Sequence, residues 1–328
     1  MFVPIMKGIC VMRLDGSWLP EVRAALEELA MRVAADPATY APAGAPPFAV
    51  FDWDQTVIRH DIGDALFVYQ MDHFAFALDH DDFWDVLGLQ GDAALRAQVA
   101  ALAARPHDVS AAAAATRRAW EAALVGGYMR ASLLDPQEGF PWQTRVLTGL
   151  TPEAVHRLTR EAAARELEAL LGRREFSLGD EALHFHQGLR PYAEILGLMR
   201  GLEAAGIEVW VVSATNVWAV QTMGELLDLD PARVIGMRTH VVDGRITSDL
   251  DGVACATWGK VDAIRRHIHP TQRPVLAAGD NITDLPMLEY SADTRLVIDR
   301  GVAALRQAAE AQRRTGERWL IQPMFDVT

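Results

Sequence analysis

The sequence predicts an α/β protein: a Rossmann-like, doubly wound parallel sheet with an all-α domain inserted in it. Three observations carry this. First, short apolar runs end abruptly in polar residues, as buried parallel strands do at the carboxyl edge of a sheet; FAVFDWD (48–54), IEVWVVSA (207–214) and PVLAAGD (274–280) are the clearest. Second, helical patterns separate the strand signals after residue 188. Third, residues 62–187 carry helical patterns with almost no strand signal.

Taken in order, SWLPEVRAALEELAMRVAA (17–35) reads as a helix. Ser17 is its expected cap, Pro20 falls in the first turn, and Leu26, Leu29, Ala30 and Val33 form one stripe. PATYAPAGAPP (37–47) reads as an irregular connector, and the first buried strand follows it. The block 62–187 holds IGDALFVYQMDHFAFAL, GDAALRAQVAALAA, VSAAAAATRRAWEAALVG and TPEAVHRLTREAAARELEALL, all of helical period. RPYAEILGLMRGLEAAG (190–206) is a helix stopped by Gly206, and the second buried strand follows. NVWAVQTMGELLDL is a helix and ARVIGMR contains a strand. HVVDGRITS is a hairpin around Asp243-Gly244, and GKVDAIRRHI is a helix. PVLAAGD and TRLVID close the alternation, and ERWLIQPM (317–324) is open to adding a strand or to packing on the core. The expected division is a core of 1–61 and 188–328 around a cap of 62–187.

Composition narrows the function. The 328 residues carry 31 Lys and Arg against 44 Asp and Glu, a net charge of −13. With no basic block, this argues against nucleic acid or an anionic membrane as partner. Cys10 and Cys255 are too few for a disulfide framework and suit a reducing compartment. No apolar run reaches the roughly 18 residues a membrane span needs. MFVPIMKGICVM is broken by Pro4 and Lys7 and lacks a cleavage site, so the expected location is the cytoplasm.

Ligands of open α/β sheets bind outside the carboxyl ends of the strands. Asp52, Asp54 and Thr56 follow the first strand. Ser213, Thr215 and Asn216 follow the second, and Asp280, Asn281, Thr283 and Asp284 the third. Lys260 opens the helix before the third strand. Carboxylates gathered at one edge repel unless a cation sits among them, and an all-oxygen donor set selects Mg²⁺. Two carboxylates with one cation suit phosphoryl transfer, one attacking phosphorus and the other handling the leaving-group proton. The Ser213 hydroxyl and the Lys260 ammonium can hold phosphoryl oxygens, with Thr215 and Asn216 beside them. Each feature alone fits a turn, a cap or a solvated lysine equally well. Their ordered recurrence after successive strands carries the reading.

FDWDQT, VVSAT, GK and GDNITD together resemble the four motifs of the haloacid dehalogenase-like hydrolase superfamily, over residues 48–299, with the helical block in the position of its C1 cap. DWDQTVIRHDIGDALF resembles the phosphoserine phosphatase branch, which also holds phosphorylcholine phosphatases. The resemblance implies that Asp52 is a nucleophile forming an aspartyl-phosphate and Asp54 the general acid/base. Ser213 and Lys260 would bind phosphate. The metal site would comprise Asp52, the Asp54 carbonyl and Asp280, with Asp284 supporting it or Lys260. Gln55 stands where Ser, Gly or Asn is commoner. An acid at Asp54 favours phosphatase over dehalogenase chemistry, which has no leaving-group oxygen to protonate.

The branch places an acid nine residues after the nucleophile, here Asp61, facing the ammonium of phosphoserine or the trimethylammonium of phosphocholine. The bland alternative is a helix-start acid. Phosphoserine also needs a cation for its carboxylate, for which Arg130 is the candidate. Phosphocholine favours an aromatic box, for which Phe67, Tyr69, Phe74, Phe76, Phe83 and Trp84 are candidates, though such spacing more commonly means core. His184 and His186 fit a loop or strand flank near the hinge better than a metal pair. Asp79, Asp81, Asp82 and Asp85 read as a solvated face. Gly188 and Pro191 mark the return to the core and a candidate hinge. The expected activity is thus a Mg²⁺-dependent phosphomonoesterase on a small, amine-bearing ester. A phosphotransferase or mutase and a non-catalytic regulatory protein of the same fold are the alternatives.

Overall fold

The computed structural model describes residues 3–5, 9–42 and 44–327, with side chains from Met12 onward. Its central sheet has six parallel strands: β1 (Phe48–Phe51), β2 (Glu208–Asn216), β3 (Val234–Met237), β4 (Leu276–Gly279), β5 (Thr294–Asp299) and β6 (Arg318–Pro323). Their spatial order is β6-β5-β4-β1-β2-β3. The chain winds outward from β1 to β3, then crosses back to β4 on the other side of β1. The order therefore reverses between β1 and β4, which pair in register from Ala49↔Leu276 to Phe51↔Ala278. A crevice opens at such a switch point, beyond the strands' carboxyl ends.

Alternation along β1 explains its burial on both faces. Ala49 and Phe51 join one apolar cluster with the helices Pro20–Ala35, Ala193–Ala204 and Val217–Glu225. Phe48 and Val50 join the opposite cluster with Ile264, Met287, Leu305 and Ala309. Strands covered on both sides have no solvated face to write in polar residues, hence their continuous apolar runs. The run 317–324 supplies β6, which pairs with β5 from Thr294↔Arg318 to Asp299↔Pro323.

Three local readings change and one, the hairpin, holds. The first helix begins at Pro20 with Leu19 as its N-cap, while the Ser17 hydroxyl donates to Glu194 across 3.0 Å instead of capping. Part of the connector is regular, since Pro37–Tyr40 forms one helical turn whose start Asp36 caps through Thr39 N–H. The hairpin read at HVVDGRITS forms from Thr239–Val242 and Arg245–Leu250, with Asp243 and Gly244 both at positive φ as a tight turn requires. The insertion, finally, is not all-α. Gly172–Leu178 and Glu181–Gln187 pair as an antiparallel hairpin around Gly179-Asp180. Each of its strands buries a single residue, Phe176 or Phe185, so the alternation that announces a strand is faint.

The insertion has its own core. Helices Ile62–His73, Asp81–Leu87, Ala93–Ala103 and Ala111–Ser132 bury Phe67, Phe74, Phe76, Phe83, Trp84 and Trp120 together. Trp120 is fully buried and its indole N–H donates to the Met71 carbonyl at 3.1 Å, so its truncation would cost about 3–5 kcal/mol. These aromatics are therefore packing. The remaining box candidate, Tyr69, donates to Glu161 on the neighbouring helix Pro152–Glu168. The insertion also docks on the core: Gly149 N–H donates to Ile246 C=O and Ile246 N–H to Leu150 C=O, both at 2.8 Å. Gln137 donates to Thr257 Oγ1 at 2.8 Å, three residues before Lys260.

Candidate active site

The carboxyl ends of β1, β2 and β4 converge on one cavity of about 170 Å³. Asp52, Asp54, Asp61, Ser213, Thr215, Lys260, Asp280 and Asp284 all line it. Asp52 stands one residue beyond β1, and its N–H continues the sheet ladder to Ala278 C=O at 2.9 Å. The Trp53 carbonyl then accepts from Thr56, Val57 and Ile58 N–H, a tight turn that includes Gln55 at φ 66°. Trp53 itself is fully buried in the main core, which anchors this turn between the two acids.

Lys260 holds the centre. Its ammonium lies 2.5 Å from Asp52 Oδ1 and 2.7 Å from Asp284 Oδ1. Asp284 spends its other oxygen on the backbone N–H groups of Asp280 and Asn281, at 3.1 and 3.0 Å. It thus ties the turn after β4 to Lys260. Gly279 makes this turn possible, because a Cβ there would fall 2.7 Å from Asp284 Cβ. The Thr56 hydroxyl bridges Asp280 Oδ1 (3.1 Å) and Asp52 Oδ2 (3.3 Å), and Arg300 forms an ion pair with Asp280.

Asp52, Asp280 and Asp284 each turn an oxygen to one spot, all within 4.8 Å of one another. Such a buried, all-oxygen set fits a hard divalent cation. The carboxylate of Asp54 is not in this group. It accepts Thr215 Oγ1–H at 2.7 Å and Ile62 N–H at 2.8 Å.

Burial and crowding of like charge set the electrostatics. Burial, then the neighbouring Asp284, pushes the Asp52 carboxyl up to about 6, against the pull of Lys260. Burial, then Asp61, raises Asp54 well above the ordinary carboxylate range. Asp280 is raised likewise, by burial and by Asp284. Cys255 is buried nearby, and burial pushes its thiol up to about 12, which leaves it inert as a nucleophile at neutral pH.

Asp61 both caps and faces the cavity. Its Oδ1 accepts Asp64 N–H at 2.9 Å at the start of Ile62–His73. Two expected site residues stand elsewhere. Asn216 caps the helix Val217–Glu225 through Ala219 N–H and does not line the cavity. Arg130 is directed away, its guanidinium donating to the Leu87 carbonyl at 3.3 Å, so it supplies no cation to the cavity. His184 and His186 lie on the insertion's hairpin, where His186 stacks on His60 at 4.6 Å. His60 in turn bonds the Gly188 carbonyl at 2.7 Å, where the chain returns to the core.

The sequence alone did not point to Tyr128, Phe140, Gln143 and Arg300, which complete the lining. The first three come from the insertion and form its roof. None of the three falls in a segment with a clear pattern of its own, so their role emerges from docking.

A family model described as haloacid dehalogenase-like hydrolase matches residues 133–289, a span that runs from the insertion through β2 and Lys260 to the Asp284 turn. Asp52 and Asp54 lie before it. A conserved functionally unknown protein from Anaerococcus prevotii DSM 20548 has a similar structure, with TM-score 0.75 and 22% identity over 96% of this chain and 94% of that one. A protein of unknown function from Bordetella pertussis Tohama I aligns with TM-score 0.53 and 16% identity over 83% and 97%. A substrate-bound phosphoserine phosphatase aligns at TM-score 0.41 and 15% identity over 80% of this chain and 89% of that one. No curated protein matches the chain. Among the described residues no helix is long and apolar enough to cross a membrane.

Proposed function

This chain carries a haloacid dehalogenase-like hydrolase domain, and from that premise we propose that it is a Mg²⁺-dependent phosphomonoesterase working through an aspartyl-phosphate on a small, amine-bearing ester. The observation that carries the reading is the division of labour between the two acids after β1. Asp52 is held against Lys260, while Asp54 is held apart from the cation cluster by Thr215 and Ile62 N–H.

Asp52 attacks phosphorus, and the bond from phosphorus to the leaving oxygen breaks as Asp54 gives that oxygen a proton. Asp54, now ionised, takes a proton from water as the water oxygen attacks the phosphorus of the aspartyl-phosphate. Phosphate leaves and Asp52 is regenerated. Lys260 and the Ser213 hydroxyl face the cavity and suit the non-bridging oxygens. Asp52 and Asp280 would hold Mg²⁺, with Asp284 fixing their turn and Lys260. When bound, the ion supplies charge neutralisation between carboxylates and phosphoryl group. Asp61 faces the amine end of the ester.

The test is phosphate release from p-nitrophenyl phosphate and a panel of alkyl phosphates. Activity is expected with Mg²⁺, lost on chelation, restored by Mg²⁺, and absent in Asp52→Asn. Full activity in Asp52→Asn would overturn the mechanism. Product diverted to an added alcohol rather than to free phosphate would make the chain a phosphotransferase.

A further inference from the structure

Asp64 stands in the first turn of Ile62–His73 and is not itself in the lining. Its Oδ1 accepts two hydrogen bonds from the facing helices, from Tyr128 OH at 3.1 Å and from Gln143 Nε2 at 2.8 Å. Both donors are residues that line the cavity. Asp64 therefore takes the Tyr128 O–H and one of the two Gln143 N–H groups, and neither side-chain oxygen is spent on it. A phenol oxygen and an amide oxygen then stand in one lining with the Asp61 carboxylate.

Each cation of the lining already has a carboxylate partner, so a second anion on the substrate would have to compete for it. Among the described residues its only basic side chains are Lys260 and Arg300, paired with Asp52 and Asp284 and with Asp280. Arg130 is bound to Leu87 C=O outside it. Three acceptors match the three N–H donors of a primary ammonium. A carboxylate beside that ammonium would meet Asp61 and acceptor oxygens in a buried space, which penalises it. A trimethylammonium has no N–H to offer them.

We propose that Asp61, Tyr128 and Gln143, the last two oriented by Asp64, form an acceptor wall that selects aminoalkyl phosphates bearing a primary ammonium and no carboxylate. This rests on the phosphatase reading and narrows its substrate class. Tyr128 and Gln143 are binding residues here, and Asp64 is a positioning residue.

The experiment measures kcat/KM of the full chain with Mg²⁺ on phosphoethanolamine, phosphoserine, phosphocholine and ethyl phosphate, with p-nitrophenyl phosphate as general substrate. Phosphoethanolamine is expected to exceed each of the other three by at least about tenfold. Gln143→Leu and Asp64→Leu are expected to shrink its advantage over ethyl phosphate by about tenfold, through KM rather than kcat. Equal or better turnover of phosphoserine or phosphocholine overturns the inference while leaving the phosphatase reading intact. So does an unchanged phosphoethanolamine-to-ethyl phosphate ratio in both folded variants. Should either variant misfold, the wild-type panel decides alone. No hydrolysis of any ester, p-nitrophenyl phosphate included, overturns the phosphatase reading and this inference with it.

Discussion

The Lys260 ammonium lies 2.5 Å from Asp52 Oδ1, and both side chains are almost wholly withdrawn from water. The same ammonium meets Asp284 at 2.7 Å, so one cation stands between two buried carboxylates. Burial opposes the charge on Lys260, yet Asp284 and Asp52 outweigh it and raise its pKa. Lys260→Met would leave the acids facing each other. Breaking a buried pair in this way costs about 3–5 kcal/mol, and urea denaturation should show a loss of that order. Phosphate release should disappear in the protein that remains folded. A variant as stable as wild type would show that Lys260 is not the keystone of this site.

Asp54 is the residue whose chemistry is most easily separated from folding. Burial and Asp61 raise its proton affinity, which suits a proton donor, and Thr215 and Ile62 N–H fix its direction. Asp54→Asn keeps the shape and removes the proton donor. Alkyl phosphates, whose leaving oxygen needs that proton, should lose about 10²–10⁴ in kcat. p-Nitrophenyl phosphate, whose leaving anion is stable unprotonated, should lose far less. An equal loss on both would mean that Asp54 acts otherwise.

Gly279 gives a steric test of how the metal-side acids are placed. A methyl group there would lie 2.7 Å from Asp284 Cβ and 2.8 Å from its Oδ2, the oxygen that binds Asp280 and Asn281 N–H. Neither the backbone turn nor Asp284 can yield without moving the other. Gly279→Ala should therefore lower activity at least about tenfold and raise the Mg²⁺ concentration for half-maximal rate, since displacements near 1 Å at a site are costly. Unaltered Mg²⁺ dependence would show that the turn tolerates the shift.

The two halves of this site differ in how far they could be read from residues. Asp52, Ser213 and Asp280 were legible because a buried parallel strand is an unbroken apolar run, and the first polar residue after it marks the sheet edge. Lys260 was legible only by its order among them. Tyr128 and Gln143 were not, because their position depends on how helix Ala111–Ser132 and the turn Pro141–Arg145 seat over the core. No local pattern encodes that seating. Arg130 illustrates the converse: a plausible cation in sequence, it sits two residues beyond Tyr128 and so on another side of the same helix. The hairpin at 172–187 escaped because only Phe176 and Phe185 alternate with water-facing neighbours.

The first helix is held to the start of β5 by Arg32, which meets both oxygens of Asp293 at 2.9 and 3.0 Å. Burial pushes the Asp293 carboxyl up, but the bonds from Arg32 and Thr294 outweigh it and hold the group below its ordinary value of 3.8. A carboxyl whose folded pKa is depressed stabilises the fold fully above the unfolded value, and that contribution fades as pH falls through the folded one. The pair remains partly open to solvent, so its worth at neutral pH is about 1 kcal/mol. Asp293→Asn should therefore unfold at lower urea than wild type at pH 7. The gap should hold down to about pH 4 and close as the pH falls further. A gap that stays constant down to pH 2.5 would show that the substitution acts through packing and not through this charge.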